Sequence, residues 1–589
     1  MLNANHRRRE QSIRFRPWII TILLALATVA QQAAAQDFEH YRPKVPPNHE
    51  GVADLPDRPG PVSGSQATLV ERLEGLVIVD RAEQVTERMD GVSGLHVHAG
   101  AGLNLLRGEA MRRIATRYLG QPVSIYQLNQ LAREIIMLYR RNDLPVVDVS
   151  VPEQDITTGV VQIVVTEARI GRIMFQGQCY FDPADLCPQV CSSPGDRIRE
   201  SVLLEDLRWL NRNPFRTVDL ELRPGAQFGQ TDVVFNVDDQ RPVRAYAGYE
   251  DSGTRATNLE RLIVGANWGN ALWRDDQFNY QYTSSADWQS VQAHSAVYSH
   301  AFLNRDVLVA YGSYADLRDE AVNQNLVGRA WQTAFRYNKT LRPTVGDNLR
   351  FDHRLVAGFD FKQTNTNLEF GGTEVFDGSA DIAQMAFGYH ALRGSEYGYW
   401  ALGADVFLSP GGFSSGNTDA AFQEIRAFAK ANYFYSRAYF EGQRDLFCNL
   451  LLFGRLTGQV ADGNLLPSEQ LGFGGYDTIR GFDMRDVNGD SGYIVNLEVR
   501  TEPLHPGWLS GWRCEDSLHF LCFYDFGGAM NRQLLPGEPW QTTLAGTGVG
   551  MRYSAGQNVS VRFDYGWQVD QIAGDAITER PHVAVVIAR

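Results

Sequence analysis

From Arg244 to the end of the chain, hydrophobic and polar residues alternate with a period of two. In the clearest run, Val559 to Val569, the odd positions hold Val, Phe, Tyr and Trp, and the even positions hold Ser, Arg, Asp, Gly and Gln. This pattern is typical of strands with one apolar and one wet face. A sandwich would alternate too, with a polar outer face and short loops. In a membrane barrel the apolar face meets lipid and the polar face lines a water-filled lumen.

Turn residues divide this region into about sixteen candidate strands, an even number typical of bacterial barrels. The long run from Phe422 to Phe440 can be divided in more than one way. The abundant Tyr, Trp and Phe residues suit the aromatic girdles at the two membrane surfaces. We therefore expect residues 241–589 to form an all-β transmembrane barrel of about 16 antiparallel strands.

Upstream of the barrel, the pattern predicts two α+β modules in series, at 75–167 and 168–240. The first has a predicted strand at 76–79, helices at 107–118 and 125–141, and strands at 146–151 and 160–165. The second repeats this order, with a strand at 170–175, helical stretches at 182–189 and 201–211, and strands at 217–222 and 232–237. A small open sheet offers an edge to which an extended segment can add as a strand. The modules are therefore predicted to bind a partner.

The N-terminus has the order of a secretory signal peptide. Five arginines precede an apolar run at 18–30, and three alanines at 33–35 follow. The alternative, a transmembrane anchor, needs about 20 apolar residues, more than this run supplies. We expect cleavage after residue 35, which leaves 36–74 as an N-terminal segment and a linker rich in proline.

Charge and cysteine content fit an exported protein. The net charge is −14, and removal of residues 1–35 makes it −18, which argues against a nucleic-acid partner. Disulfides are plausible in an oxidising compartment, but three cysteines in each of two groups leave an odd thiol on each side, and spacing does not fix the pairing. A zinc site lacks any C-x-x-C pair. The two groups are Cys179, Cys187 and Cys191, and Cys448, Cys514 and Cys522.

The sequence shows no enzyme signature. It contains no G-x-x-x-x-G-K-[ST] phosphate loop. His96 and His98 form an H-x-H pair without an evident third ligand. We predict a non-enzyme with no cofactor and no metal.

The stretch LGFGGYDTIRGF, 471–482, places a Gly-rich turn and one arginine within the barrel region. From the pattern alone, Arg480 fits a solvated extracellular loop in which it has no partner. A guanidinium is also the group that binds a carboxylate bidentately at any relevant pH.

Two α+β modules, a barrel of about sixteen strands and this Gly-Gly…Arg-Gly-Phe loop resemble the TpsB transporters of two-partner secretion. These are the ShlB/FhaC/HecB-like branch of the outer-membrane superfamily that includes the insertase BamA. The stretch LPVVDVSVPEQDITTGVVQIVV, 144–165, resembles the family's POTRA signature through Pro152, Gln154, Asp155 and Gly159. The stretch LRPGAQFGQTDVVFNV, 222–237, resembles the run that closes the second POTRA module.

The resemblance implies that the loop at 471–491 folds into the lumen before the twelfth strand. Its arginine would pair with an aspartate on the thirteenth strand, and the matching residue is Asp525 in FYDFGG, 523–528. The loop motif matches through Gly474, Gly475, Ile479, Arg480, Gly481 and Phe482.

The resemblance also implies an outer-membrane translocator with its POTRA domains in the periplasm. Such a protein would recognise an unfolded TpsA-like exoprotein and secrete it through the barrel without a nucleotide energy source. It would contact outer-membrane lipid, use the barrel-assembly machinery during biogenesis and act as a monomer. The alternatives are a BamA-type insertase and a passive porin. Two features depart from the family. The C-terminal residue, Arg589, is not aromatic, and the segment 36–41 is so short that the sequence does not decide whether a plug helix is present.

Overall fold

The computed structural model describes residues 42–589 except 49–50, 57–59, 99–102, 254–257, 322–323, 347–348, 371–372, 396, 447, 508–515 and 571–577. The predicted signal peptide, residues 36–41 and Cys514 lie outside the described residues. Within these ranges, no helix combines the length and apolar character needed to cross a membrane. The chain divides into two compact units, one formed by residues 49–240 and one in which residues 42–48 join 241–589.

The first module of the 49–240 unit has a four-stranded sheet in the order β4-β3-β7-β6. Strand β3 runs parallel to both β4 and β7, and β6 is antiparallel to β7. A capping box between Ser124 and Gln127 starts α2, which buries Leu131 and Ile135 against the sheet. The elements are β2 Thr68–Val70, β3 Gly75–Val79, β4 Gly94–His98, α1 Glu109–Thr116, β5 Val123–Ser124, α2 Ile125–Arg141, β6 Val147–Ser150 and β7 Val160–Glu167.

The second module has a sheet in the order β1-β9-β10-β8. Its outermost strand, β1, comes from the linker and pairs parallel with β9, in the register Ala53 to Leu220 and Asp54 to Glu221. Ala53 and Leu55 pack against the module's core. The elements are β1 Ala53–Asp54, β8 Arg169–Gln176, α3 Pro183–Leu186, α4 Glu200–Leu210, β9 Arg216–Pro224 and β10 Gln230–Asp239.

The barrel closes on itself, because the last strand pairs antiparallel with the first from Tyr246–Ala588 to Glu250–Ala584. The short strand β17 Thr344–Gly346 pairs antiparallel with β18 beyond the end of β16, so it extends β16 and is not counted separately, and sixteen strands form the wall. In chain order these are β11 Val243–Glu250, β12 Arg261–Ala271, β13 Asp276–Ser285, β14 Val291–Ala301, β15 Val307–Ala321, β16 Gln324–Thr340, β18 Leu349–Phe370, β19 Thr373–Ser395, β20 Gly398–Pro410, β21 Asn432–Asp445, β22 Leu450–Ala461, β25 Ser491–Thr501, β26 Asp516–Met530, β27 Gln541–Ala555, β28 Val559–Asp570 and β29 Glu579–Ala588.

Alternation along the strands separates the two faces of the wall. On β16, Phe335 is about half exposed on the outer face, whereas Gln332 points inward and is buried. Apolar groups on the outer face suit lipid and polar groups on the inner face suit a wet lumen. The predicted fold class, α+β modules followed by a barrel of about sixteen antiparallel strands, is confirmed.

The ambiguous run 422–440 contains the end of a helix and most of a strand. Helix α5, Asp419–Ile425, lies in the connection between β20 and β21. Thr418 caps it, because its hydroxyl accepts a bond from the amide of Ala421. Strand β21 begins only at Asn432, so alternation over the first part of this run did not reflect a strand.

Candidate functional site

The connection between the eleventh and twelfth barrel strands, residues 462–490, folds back into the barrel. A small hairpin of β23 Leu471–Phe473 and β24 Val487–Gly489 forms its stem. The loop contributes its own apolar core, which packs against Ile494 on β25 and Leu544 on β27. The buried loop members of this core are Leu471, Phe473, Ile479 and Phe482. Burial of these side chains holds the loop on the inner wall rather than in solvent.

The glycines of the motif adopt a backbone conformation that other residues rarely take. Gly474, Gly475 and Gly481 have φ of 103°, 103° and 97°. A Cβ atom on Gly474 would lie 2.2 Å from the carbonyl oxygen of Asp483 across the turn. The turn therefore requires glycine both for its dihedral angles and for its tight closure.

Arg480 and Asp525, the two residues expected to pair, lie together on the inner wall. The Arg480 Nε atom donates to Asp525 Oδ2 at 2.7 Å, and Nη2 donates to Oδ1 at 2.8 Å. The Arg480 amide donates to the same carboxylate at 3.2 Å. Both residues are buried, at 2% and 0% relative exposure. This is the bidentate arrangement that a guanidinium favours. The Arg480 guanidinium also lies 3.6 Å from the ring centroid of Phe523.

Two further carboxylates, which the sequence did not single out, surround the same guanidinium. Nη1 of Arg480 lies 2.8 Å from Glu498 Oε1 and 3.6 Å from Asp564 Oδ1. Other arginines share these acids: Arg500 donates to Glu498, and Arg552 donates to Asp564. A network in which each charge has partners avoids the cost of a lone buried ion. All of these groups occupy inward positions of the alternation, which is the one sequence signal that could have found them.

Two glycines of the barrel wall, Gly546 and Gly566, lie directly against the motif, and the sequence analysis did not identify them. A Cβ atom on Gly546 of β27 would lie 2.0 Å from the Arg480 carbonyl oxygen. On Gly566 of β28 it would lie 2.5 Å from the Gly481 amide nitrogen. The main chain of the loop thus rests directly on the main chain of the wall. Gln568 and Arg562 add bonds to the carbonyls of Gly481 and Tyr476.

A second buried ion pair holds the loop on another part of the wall. Lys362 Nζ on β18 donates to Glu469 Oε1 at 2.8 Å. Gln384 on β19 and Tyr435 on β21 donate to Oε2 at 3.0 and 2.8 Å. The Glu469 carbonyl accepts from Gln459 at 3.0 Å. Nothing in the sequence marked Glu469 as an anchor, because its partners lie on strands distant in sequence.

The far end of the loop is tied to the α5 connection. Arg426, which follows α5, donates from Nη2 to Asp490 Oδ2 at 3.0 Å. The same carboxylate accepts from the amides of Leu465 and Arg532 at 2.9 and 3.0 Å. Asp490 is fully buried, and its charge is balanced by this set of donors.

Residues 42–48 lie against the inner face of the barrel. The amide of Lys44 donates to Tyr246 Oη at 2.9 Å and to Gln281 Oε1 at 3.3 Å. Asn267 Nδ2 donates to the Lys44 carbonyl at 3.0 Å. The Lys44 ammonium pairs with Glu250 at 3.1 Å. The residues that would form a plug helix lie outside the described residues, so the structure does not test whether a plug helix is present.

The POTRA signature residues shape one turn of the first module. The Gln154 side chain bonds the main chain of Gln162 in both directions, at 2.7 Å each. Asp155 accepts from the hydroxyl and amide of Thr157, at 2.7 and 3.0 Å. Gly159 has a φ of 80°, and a Cβ there would lie 2.8 Å from the carbonyl of Arg72. The Pro152 carbonyl accepts a hydrogen bond from Gln154 Nε2 at 3.1 Å. These four residues order the entry to β7.

The Thr157 hydroxyl and amide, with a smaller contribution from Arg88, hold the pKa of the Asp155 carboxyl below its ordinary value. His96 and His98 lie on β4 as expected for an H-x-H pair, and within the described ranges no group of three or more His, Cys, Asp and Glu residues is arranged to hold a metal ion. Cys179, Cys187, Cys448 and Cys522 are exposed free thiols, and Cys191 is exposed as well.

A closed barrel with an apolar outer face and a loop pinned to its inner wall, in one chain with small α+β modules, defines an outer-membrane β-barrel protein. The comparisons name the family. The chain belongs to the Haemolysin secretion/activation protein ShlB/FhaC/HecB family, whose model matches residues 229–553. A POTRA domain of the ShlB type matches residues 97–168.

Known proteins are similar to this chain in sequence or in fold. The Heme/hemopexin transporter protein HuxB of Haemophilus influenzae (strain 86-028NP) is 23% identical over 415 residues, which cover 67% of this chain and 69% of the relative. The outer membrane transporter CdiB of Dickeya dadantii (strain 3937) is 22% identical over 404 residues, covering 65% and 67%. The solved structure of CdiB from Escherichia coli superposes with a TM-score of 0.68 at 16% identity, covering 96% and 95%.

The prediction of a TpsB transporter is therefore confirmed. Members of this family are outer-membrane transporters with POTRA domains in the periplasm, so the predicted location is confirmed as well. The family works with cognate TpsA exoproteins. Its members are transporters, which agrees with the prediction of a non-enzyme.

Proposed function

We propose that this protein binds an unfolded exoprotein with its periplasmic modules and secretes that exoprotein through its barrel. The observation that supports this most strongly is the way the 462–490 loop is held. Its attachment rests on side-chain contacts such as Arg480 with Asp525 and Glu469 with Lys362. The wall, by contrast, is held by a closed ladder of main-chain hydrogen bonds. The loop can therefore leave the lumen without opening the barrel, as a gate must.

Capture of the exoprotein would use strand addition in the modules. The linker strand β1 already pairs with β9: the Val52 carbonyl accepts from the Leu220 amide at 2.8 Å, and the Val52 amide donates to Asp219 at 2.6 Å. This pairing supports the idea that the sheets accept an extended segment along an edge. Binding of this kind is directed mainly at main-chain groups, which suits an unfolded partner.

Transport would draw its energy from folding of the exoprotein outside the cell. The sequence contains no G-x-x-x-x-G-K-[ST] loop that could hold a nucleotide. Modest, reversible capture in the periplasm and folding at the surface would together give the movement a direction. We propose that one barrel acts alone on one cognate exoprotein of the TpsA type, in contact with outer-membrane lipid.

The test is quantitative proteomics of the culture medium and outer membrane in cells that lack this protein. The cells are complemented with the wild type, with Arg480→Ala or with the matched control Arg444→Ala, which changes an exposed arginine at the end of β21. We expect one large secreted protein to disappear from the medium in the deletion strain and to return only with the wild type and the control.

Other outcomes would assign a different function. Broad depletion of outer-membrane barrels in the deletion strain would point to a BamA-type insertase. Unchanged secretion together with a loss of solute uptake would point to a passive porin. Normal secretion with Arg480→Ala, in a strain where the deletion abolishes it, would mean that Arg480 does not act in the gate.

A further inference from the structure

The inner wall of the second to sixth barrel strands carries a continuous set of neutral polar side chains, here called the amide track. Four of them pair directly from strand to strand, Gln281 with Ser295, Ser295 with Ser313, and Ser313 with Gln332. Each carries an amide or a hydroxyl, and each is at most 9% exposed. The members are Asn267, Asn279, Gln281, Thr283, Ser295, Ser313 and Gln332.

The track ends at a sharp electrostatic boundary. The next residue in the same row is Lys362 of β18, which pairs with Gln332 across the strands. From β18 onward the inner wall carries ion pairs such as Arg552 with Asp564, and Arg336 of β16, the last strand of the track, pairs with Asp360 of β18. The lumen thus has one side richer in amides and hydroxyls and another side richer in paired charges.

The gate lies on the charged side. Glu469 is bound by side chains of β18, β19 and β21, and Arg480 by side chains of β25, β26 and β28. Gly481 and Asp483 contact His582 and Arg580 of β29. These contacts of the loop all end between the seventh and sixteenth strands, away from the track.

The chain itself shows how the track binds a polypeptide. Gln281 accepts from the Lys44 amide, and Asn267 donates to the Lys44 carbonyl. Both main-chain groups of one residue are therefore bound by neutral amide side chains. The Lys44 ammonium goes elsewhere, to Glu250. Three prolines in 42–47 keep this segment extended, as an unfolded chain in transit would be.

We propose that the amide track is the path along which the exoprotein crosses the barrel, with its main chain exchanging hydrogen bonds with the track side chains. This inference rests on the proposed secretion function and specifies its route. A primary amide both donates and accepts, so it can bond a passing main chain in any register. A charged wall would instead retain segments of opposite charge, because a charge pair is strong where water is scarce. A neutral track therefore lets a chain of any sequence slide.

The test places a photoreactive phenylalanine at two inward tyrosines. Tyr311 on β15 is two residues from Ser313 on the same face, and Tyr439 on β21 is its match on the charged side. The probe is the exoprotein identified by the proteomic experiment, fused to a fast-folding domain that stalls it in the barrel. We expect a crosslinked product from position 311 and none above background from 439.

Crosslinking mainly from 439, or from neither position while the unfused exoprotein is still secreted, would overturn the track. Absence of secretion even from wild-type cells would instead overturn the proposed function, so the two failures are distinguishable. A second measurement introduces charge: Gln281→Lys and Gln281→Glu are each expected to lose most secretion, whereas Gln443→Lys, on the charged side of β21, keeps it. Full secretion with both Gln281 variants would also overturn the inference. Heat-modifiable migration of each variant on gels verifies that the barrel has folded.

Discussion

Lys362 on the seventh barrel strand and Glu469 in the lumen loop form an ion pair with a 2.8 Å Nζ to Oε1 distance and side chains that are 2% and 1% exposed. Asp564, near the Arg480 guanidinium, lies on the fifteenth strand. The seventh and fifteenth strands are eight apart in either direction around a wall of sixteen. The loop is therefore fastened to strands on opposite sides of the barrel.

Two anchors on opposite sides make the loop a strut across the lumen. Release at Arg480 alone would leave the Glu469 end fixed, and release at Glu469 alone would leave the Arg480 end fixed. The two ends are only eleven positions apart in sequence, so each restricts the movement of the other. We expect full opening to require that both anchors break.

The first prediction concerns the energy of the Lys362–Glu469 pair. Lys362→Met and Glu469→Gln should each destabilise the closed loop, because each leaves a buried partner without its counter-charge. The double variant should be less disturbed than the two single effects predict, with a coupling energy of about 0.5–3 kcal/mol. The frequency of open events in planar-bilayer recordings reports the stability of the closed state, because a less stable closed loop opens more often.

The matched control is Lys339→Met, which removes a half-exposed lysine from its pair with Asp306. It should leave the open frequency near that of the wild type, because this pair does not touch the loop. Additive effects of Lys362→Met and Glu469→Gln would show that the two residues do not act as one anchor.

The second prediction separates charge from geometry at Arg480. A lysine keeps the positive charge but cannot bind Asp525 through a planar fork. Arg480→Lys should therefore retain part of the secretion that Arg480→Ala loses, and its pore should open more often than that of the wild type. The alanine variant leaves three buried carboxylates short of a partner, a cost of about 3–5 kcal/mol. Equal secretion by the lysine variant and the wild type would show that positive charge is sufficient.

The third prediction uses the glycine surface on which the loop rests. Gly546→Val should push the loop away from β27, since a Cβ atom there would lie 2.0 Å from the Arg480 carbonyl oxygen. We expect an open pore and reduced secretion in a barrel that still migrates as folded. Gly463→Ala is the control, because a Cβ atom at that position meets nothing within 4 Å. A closed pore in Gly546→Val would mean that the loop adapts to the wall.

The fold followed from the sequence because alternation over 241–589 reports directly which side of each strand meets lipid. The same pattern could not show where strands end. Between Phe422 and Phe440 it marks neither the end of α5 at Ile425 nor the start of β21 at Asn432. Local hydrogen bonds, such as the one that caps α5 at Thr418, determine where the helix forms, and the alternation of hydrophobic and polar residues does not reveal them.

At the site, the resemblance singled out Arg480 and Asp525, the two residues that the structure brings together, but none of their supports. Glu469 meets Lys362 across 107 positions of sequence, and such a contact follows from the curvature of the barrel rather than from any local spacing. Gly546 and Gly566 matter because another main chain lies on them, which a single sequence does not display. Long-range packing, not local pattern, determines these positions.

The last prediction concerns pH and the turn before β7. Bonds from Thr157 lower the pKa of Asp155, so the folded module favours the ionised carboxylate. A carboxyl with a lowered folded pKa stabilises the fold above its ordinary pKa of 3.8, and this stabilisation disappears as the pH falls through the folded value. Asp155→Ala should therefore speed amide exchange at Gly159 and its neighbours in the full-length protein at neutral pH. The difference from the wild type should shrink on acidification below about pH 4. Thr157→Val, which removes the hydroxyl that binds the carboxylate, should show the same trend with a smaller amplitude. A difference that stays constant down to the lowest pH at which the protein folds would show that the Asp155 charge does not order this turn.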